Sequence, residues 1–115
     1  MGARRTFRAK VSGATEGRPS VELAGPLDLN AAAAFKEALI EALREGARRV
    51  VVDLSDVTFI DSTALGVLAA GITRLNQIDG TLEVVCPNQE IRRIFEVSGL
   101  DHILAISTSP DEGAA

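Results

Sequence analysis

The chain has 115 residues, enough for one ordinary domain with its own hydrophobic core. Apolar residues make up 46% of the chain and charged residues 24%, which is a globular composition and excludes a disordered one. The formal net charge is −4 and Trp and Tyr are absent, so nucleic acid and anionic membranes are not expected as main partners.

Cysteine content and hydropathy indicate the compartment. Cys86 is the single cysteine, so neither an internal disulfide nor a cysteine zinc cluster can form. The sequence has no run of 18 apolar residues, and its N-terminus lacks the apolar core of a signal peptide. We therefore expect a cytoplasmic protein without membrane insertion.

The first part of the chain predicts a hairpin followed by a helix. Residues 6–11 and 20–25 alternate in polarity, which is typical of half-exposed strands, and a turn-rich segment separates them. Asn30 is predicted to cap the helix that follows, and Gly46 is predicted to end it.

The middle of the chain predicts a buried strand, a long helix and another strand. Residues 49–54 hardly alternate, which is typical of a central parallel strand that is covered on both faces. A helix is predicted over residues 62–78, ended by Asp79 and Gly80, and a strand over residues 81–86.

The last part predicts a short helix that Asn88 caps and Gly99 ends, with Leu100 placed for a Schellman contact. Residues 102–106 are predicted to form a short edge strand. Residues 107–115 are predicted to be a loose polar tail.

This order of elements predicts one α/β domain over residues 1–115, with its core between about 6 and 106. The fold is a mixed sheet of about five strands with three main helices, parallel except for the first hairpin. Three helices cannot cover two faces well, so one sheet face is expected to be open or partly open. The predicted core side chains are Phe35, Leu39, Val51, Leu65, Leu68, Ile72, Leu75, Val84, Ile94 and Phe95.

The predicted helix over residues 62–78 has an unusually apolar outer side. On helical spacing Leu65, Leu68, Ala69, Ile72 and Leu75 form the core stripe. The other side has no charge in its first two turns, and two interior glycines should cost roughly 1 kcal/mol each relative to Ala. Three explanations are open: burial on two sides with Gly66 needed for packing, a docking surface for another protein, or a groove for a lipid or small ligand. The residues of this outer side are Thr63, Gly66, Val67, Ala70, Thr73, Arg74 and Gln77.

Ser62 lies at the head of this helix, directly after a strand, where functional groups gather in α/β sheets. Its hydroxyl can be a simple helix cap. A phosphate there would be stabilised by the helix dipole by roughly 0.3–1 kcal/mol and would add about −1.5 to −2 charges to a nearly uncharged surface. Such a modification could block an apolar partner without unfolding the domain.

Residues 50–68 read VVVDLSDVTFIDSTALGVL and residues 74–106 read RLNQIDGTLEVVCPNQEIRRIFEVSGLDHILAI. This pattern resembles the STAS-domain family, in its stand-alone bacterial branch of anti-sigma factor antagonists, from about Val21 to Ile106. The segment 53–68 is its most specific part.

The resemblance implies that Ser62, preceded by Asp61, is phosphorylated by an anti-sigma factor, a serine kinase of the histidine-kinase-like ATPase fold. It implies that the unphosphorylated protein sequesters this kinase and frees a sigma factor, and that a metal-dependent serine phosphatase resets the switch. Asp28 is carried over as a partner contact from the stretch GPLDL. The predicted partner-binding residues are Asp28, Asn30, Asp61, Thr63, Gly66, Val67 and Ala70.

Two positions depart from the family pattern. Pro26 stands where Glu is usual, which removes a charge beside the docking surface, and Ala64 stands where Gly is frequent, which should stiffen the helix head.

Catalysis is not expected. A hydrolase would pair Ser62 with His102, the only histidine, but no G-x-S-x-G turn surrounds Ser62. No nucleotide-binding motif and no calcium-loop spacing of aspartates occur, so neither a cofactor nor a metal is predicted. The alternative function is a STAS subunit of a lipid-transport or stress-signalling assembly that uses the same helix face without phosphorylation.

Overall fold

The computed structural model describes residues 6–13, 18–44 and 46–108. Within these ranges the chain forms five strands, three α-helices and one short 3₁₀ helix. In chain order the elements are β1 (Arg8–Ser12), β2 (Ser20–Leu27), α1 (Ala32–Leu43), β3 (Arg49–Ile60), α2 (Ser62–Asn76), β4 (Thr81–Val85), α3 (Gln89–Ser98), the 3₁₀ helix (Leu100–His102) and β5 (Ala105–Ser107).

The strands lie in the sheet in the same order as in the sequence, β1-β2-β3-β4-β5. β1 pairs antiparallel with β2, and the other neighbours are parallel. Each parallel connection contains one α-helix, and the last also contains the 3₁₀ helix. Right-handed connections between sequential neighbours all place their helices on the same face of the sheet. The predicted mixed five-stranded fold with three helices is confirmed.

The burial pattern of β3 shows that the helices cover one face. Val50, Val52 and Leu54 are fully buried, whereas Val51 and Asp53 between them are only half-buried. The prediction that this strand is covered on both faces is therefore wrong, and the prediction of an open sheet face is confirmed. The open face carries a two-bond ion pair between Arg49 and Glu83, with the Nη2–Oε1 distance at 2.8 Å.

One continuous cluster beneath the helices forms the core. Three predicted core residues, Val51, Leu65 and Ile94, are only partly buried. On α2 the buried stripe is centred on Leu68 and includes Ala64 and Gly71, so the helix is rotated slightly from its predicted orientation. The confirmed core residues are Phe35, Leu39, Leu68, Ile72, Leu75, Val84 and Phe95.

β2 and β3 extend beyond their predicted ends, and their pairing is irregular. Register shifts occur between Glu22 and Ala24 and between Gly25 and Pro26. Gly25 has a φ of +90°, and a Cβ there would lie 2.8 Å from the Thr6 carbonyl oxygen, so the close approach of the segment just before β1 requires glycine. Beyond these shifts, the two strands end side by side.

The last strand of the sheet begins and ends later than predicted. His102 lies in the 3₁₀ helix and not in a strand, and β5 includes Ser107, which was predicted to begin the tail. The Ser107 carbonyl accepts a hydrogen bond from the Cys86 amide at 2.8 Å. Residues 109–115 of the predicted tail lie outside the described residues. Gly99 ends α3 with a φ of +81°, as predicted.

Candidate functional site

The connections that lead into α1, α2 and α3 begin with the same local structure at the carboxyl end of a strand. An Asx side chain accepts hydrogen bonds from the backbone amides two and three residues later, which satisfies donors that a helix start leaves free. Asp28 bonds Asn30 and Ala31 at 3.0 and 3.1 Å, Asp61 bonds Thr63 and Ala64 at 3.0 and 3.2 Å, and Asn88 bonds Glu90 and Ile91 at 2.9 and 3.3 Å.

The prediction that Asn30 caps α1 is wrong. Its backbone amide donates to the Asp28 carboxylate, and the residue at the N-cap position is Ala31, which has no side-chain cap. The aspartate two residues earlier was the better candidate, because it orders the turn before the helix begins.

Ser62 is the first helical residue of α2, and the cap of this helix is Asp61. The explanation that the Ser62 hydroxyl caps the helix is therefore wrong. The side chain is exposed, and its hydroxyl forms no hydrogen bond with the described part of the chain. Thr63 is also exposed, but it lies inside the first turn, where its β-branch restricts the side chain.

Two carboxylates lie at the strand ends next to Ser62. Leu27 and Ile60 are paired in the sheet, and the Asp61 amide donates to the Leu27 carbonyl at 3.3 Å. Because neighbouring strands are about 4.8 Å apart, Asp28 and Asp61 lie next to each other. The surface at the head of α2 is thus acidic even before any modification.

A groove with a volume of about 860 Å³ lies between α1 and α2. Four predicted partner-binding residues line its α2 side: Thr63, Gly66, Val67 and Ala70. The other three, Asp28, Asn30 and Asp61, are not among its lining residues and lie at the carboxyl edge of the sheet. The structure thus divides the predicted partner surface into a groove and an acidic edge.

The α1 side of the groove was not predicted from the sequence. Lys36, Ile40 and Arg44 line it, and Ile40 is 43% exposed although it belongs to an amphipathic helix. The spacing of these residues by four places them on one side of α1. The sequence signal for this surface was Ile40, an apolar residue that lies outside the core face of α1 and four residues from a cation on either side.

Two further exposed apolar side chains were not predicted from the sequence. Leu29 is 69% exposed directly after Asp28, and Phe59 is 52% exposed two residues before Asp61. An apolar residue within the polar turn 28–30 was the sequence signal for Leu29.

The two glycines of α2 have different roles. A Cβ on Gly71 would lie 2.7 Å from Leu39 Cδ2, so this glycine allows α1 and α2 to pack closely. A Cβ on Gly66 would meet no atom within 4 Å. The explanation that Gly66 is needed for packing is therefore wrong, and the small residue faces the open groove.

The hydrolase alternative fails on topology. Ser62 follows the carboxyl end of β3, whereas His102 precedes the amino end of the parallel strand β5, so the two residues lie at opposite edges of the sheet. The His102 side chain is 83% exposed, with Nε2 3.8 Å from Asp101 Oδ1. The two side chains are not brought together.

The part of the chain that the structure describes contains neither a cluster of metal-binding side chains nor a membrane-spanning helix. No group of three or more His, Cys, Asp or Glu side chains in residues 6–13, 18–44 and 46–108 could hold a metal ion. No helix in those same ranges is long and apolar enough to cross a membrane.

Comparison with known proteins gives consistent matches. The family model of the STAS domain matches residues 12–115. The anti-sigma-B factor antagonist of Staphylococcus epidermidis is 31% identical over 87 residues, which are 76% of this chain and 81% of that protein. The protein of the same name from Staphylococcus aureus has the same identity and coverage.

Solved structures have the same fold. An anti-sigma factor antagonist from Mycobacterium paratuberculosis is 26% identical with a TM-score of 0.80, covering 97% of this chain and 94% of that one. The antagonist SpoIIAA in its unphosphorylated form has a TM-score of 0.71 at 19% identity, covering 95% and 94%. Its Bacillus form with phosphate has a TM-score of 0.69 at 21% identity, covering 95% and 96%. The two SpoIIAA matches are evidence of fold alone.

Proposed function

Because the chain belongs to the STAS-domain family, we propose that it is an anti-sigma factor antagonist whose binding to an anti-sigma serine kinase is switched by phosphorylation of Ser62. The unphosphorylated chain sequesters the kinase in the cytoplasm, which releases a sigma factor for transcription. A metal-dependent serine phosphatase restores this state. The chain itself has no catalytic role in this proposal.

The observation that carries the proposal is the state of the Ser62 side chain. Its hydroxyl is exposed and unbonded at the first position of a helix that Asp61 already caps. Such a hydroxyl can enter a kinase active site without breaking a hydrogen bond within the described chain. Phosphorylation of Ser62 should therefore change the free energy of unfolding little.

The surroundings of Ser62 explain why a phosphate would act as a switch. Asp61 has taken the amides of Thr63 and Ala64, so the phosphate would interact with the helix dipole and not with these donors. It would add about −1.5 to −2 charges beside Asp28 and Asp61. A partner that covers this edge would have to desolvate that charge, which costs several kcal/mol when no opposite charge faces it.

The names of relatives support the antagonist part of this proposal. The Staphylococcus relatives, 31% identical to this chain, carry the name anti-sigma-B factor antagonist. The proposed contacts with the kinase are Asp28, Asn30, Asp61, Thr63, Gly66, Val67 and Ala70.

The test is kinase affinity measured by calorimetry. The kinase is an anti-sigma serine kinase recovered with the Ser62→Ala chain from the source cell and then purified. We expect the wild type and Ser62→Ala to bind tightly, and the phosphorylated chain and Ser62→Asp to bind weakly. Val97→Asp, which adds one charge at an 82% exposed position of α3 outside the groove, is the control and should bind like wild type.

Phosphate incorporation identifies the acceptor. Incubation with the kinase and ATP should label wild type and Thr63→Ala but not Ser62→Ala, as read by mass spectrometry. If the four Ser62 states bind alike, the switch is refuted. The second candidate, a STAS subunit that docks through the same groove without phosphorylation, then takes its place, since the open space at Gly66 requires no phosphate.

A further inference from the structure

The groove between α1 and α2 is positively charged although the protein is acidic. Its lining includes three cations, Lys36, Arg44 and Arg74, and no acidic side chain among the described residues. All three are exposed, and none forms an ion pair within the ranges that the structure describes. The whole chain has a net charge of −4. The groove therefore differs in sign from the protein as a whole.

The charges are arranged along the groove. Arg74 lies in the last turn of α2 and Arg44 at the C-cap of α1. Both are at the end far from Ser62, because α1 and α2 run in the same direction across the sheet. The twelve residues from Ser62 to Arg74 correspond to about 18 Å along a helix axis. Lys36 lies two turns before Arg44 on α1, and the rest of the lining between the two ends is apolar or small, with Ile40, Val67 and Ala70.

We propose that this groove receives an amphipathic helix of the partner, with apolar side chains on the face that enters and acidic side chains facing Arg44 and Arg74. The lining from Thr63 to Ile78 extends over roughly 22 Å, the length of about four helical turns. The identity of the partner as the anti-sigma kinase rests on the proposed function; the shape and charge of its docking segment rest on the groove.

Charge complementarity selects this occupant over others. A symmetric dimer would place this concave groove against an identical concave groove, which leaves both unfilled, and the described lining supplies no acidic side chain to face Arg44 and Arg74. Single-stranded nucleic acid is bound on aromatic surfaces, which the described groove lining lacks, and the net charge of −4 opposes binding of any nucleic acid. An acidic, apolar protein segment matches both the sign and the apolar floor.

The two ends of the groove should act independently. A distance of about 18 Å exceeds the Debye length of roughly 8 Å at physiological salt. The effect of a charge at residue 62 and the effect of charge changes at Arg44 and Arg74 should therefore add, as they do for distant sites. Effects on kinase affinity that do not add would mean that the charge at residue 62 alters binding at Arg44 and Arg74.

The experiment measures kinase affinity for the double variant Arg44→Glu/Arg74→Glu in the unphosphorylated state. We expect the dissociation constant to rise by about tenfold or more, and Arg44→Lys/Arg74→Lys to restore binding. The matched control is Arg8→Glu/Lys10→Glu, which reverses two exposed charges on β1, and it should stay within about twofold of wild type. Circular dichroism melting checks that each variant is folded, since Arg44 and Arg74 also lie at helix C-termini, where positive charge is favourable.

The results separate this inference from the proposed function. If the arginine variants lose affinity while Ser62→Asp does not, the groove inference stands and the switch fails. If Ser62→Asp loses affinity while the arginine variants bind like wild type, the switch stands and the groove inference is overturned. An equal loss in the β1 control also overturns it, because net charge alone would then explain the effect.

A pair of synthetic helices tests the groove without any kinase. Both peptides have about 18 residues with the same leucine face; one carries glutamates beside it and the other lysines. The wild-type chain should bind the glutamate peptide more tightly, and Arg44→Glu/Arg74→Glu should abolish this preference. Equal binding of the two peptides, or no binding of either, would contradict the proposal.

Discussion

Alanine substitutions at Gly66 and Gly71 test the packing between α1 and α2 most directly. Both residues are inside the same helix, so the intrinsic helix preference changes equally. Only the environment differs: a Cβ at Gly66 meets nothing within 4 Å, and a Cβ at Gly71 meets Leu39 Cδ2 at 2.7 Å and Leu82 Cδ1 at 3.5 Å. The pair therefore isolates the steric cost of the α1–α2 contact.

The magnitudes follow from helix preference and packing. Gly66→Ala should stabilise the fold by about 1 kcal/mol, the difference between Gly and Ala in a helix interior. The unfolding entropy of a chain of this size is about 0.24 kcal/mol per kelvin, so the melting temperature should rise by roughly 4 °C. Gly71→Ala gains the same preference but must displace Leu39, which is 3% exposed, and overpacking costs about 1–3 kcal/mol. The net change should lie between about zero and a loss of 2 kcal/mol.

The assay is urea unfolding of the wild type and both variants, followed by circular dichroism, with melting temperatures as a second measurement. A double-mutant cycle gives the control. Leu39→Ala should cost less in the Gly71→Ala background than in the wild type, because the truncated side chain no longer collides with the new methyl group. It should cost the same with or without Gly66→Ala.

The difference in unfolding free energy between the two glycine variants decides the outcome. If Gly71→Ala is as stable as Gly66→Ala, the close α1–α2 contact is not the reason for Gly71. Gly66→Ala has a functional readout too: if this glycine is kept for the approach of a partner, the stabilised variant should bind the kinase more weakly than wild type.

Three further predictions concern the core, the cap and the thiol. Leu68→Ala should lose about 2–5 kcal/mol of unfolding free energy in urea, and clearly more than Leu65→Ala, because Leu68 is fully buried and Leu65 only partly; equal losses would show that α2 is rotated differently. Asp61→Ala should lose about 0.5–2 kcal/mol and Asp61→Asn much less, since Asn also caps; unfolding curves that match wild type for both would rule out the cap. Burial raises the pKa of the Cys86 thiol above its ordinary value, so this thiol should react with a disulfide reagent only as the protein unfolds. The folded pKa of this thiol is higher than its unfolded pKa of about 9, so the stability that the buried, protonated thiol contributes is fully present below about pH 9 and is lost as pH rises through the folded pKa. A fall of the unfolding free energy above pH 9 that persists in Cys86→Ala would contradict this.

Local patterns in the sequence were sufficient for the elements and the fold class. Alternation predicted the first hairpin, and the glycine after α3 predicted its left-handed end. The pattern around Ser62 predicted a helix beginning at that residue, which is where α2 begins. These signals depend on residues close in sequence, where side-chain period and capping chemistry act directly on the backbone.

Only the tertiary structure decided which surfaces are covered. Val51 lies in an apolar run, yet it is half-buried because all three helices lie on the other face of the sheet. Gly66 and Gly71 are alike in the sequence, and only the position of α1 shows that Gly71 is needed for packing while Gly66 faces the groove. The cations of that groove come from two separate helices. Contacts between segments distant in the chain depend on strand order and helix orientation, which the local pattern of either segment does not determine.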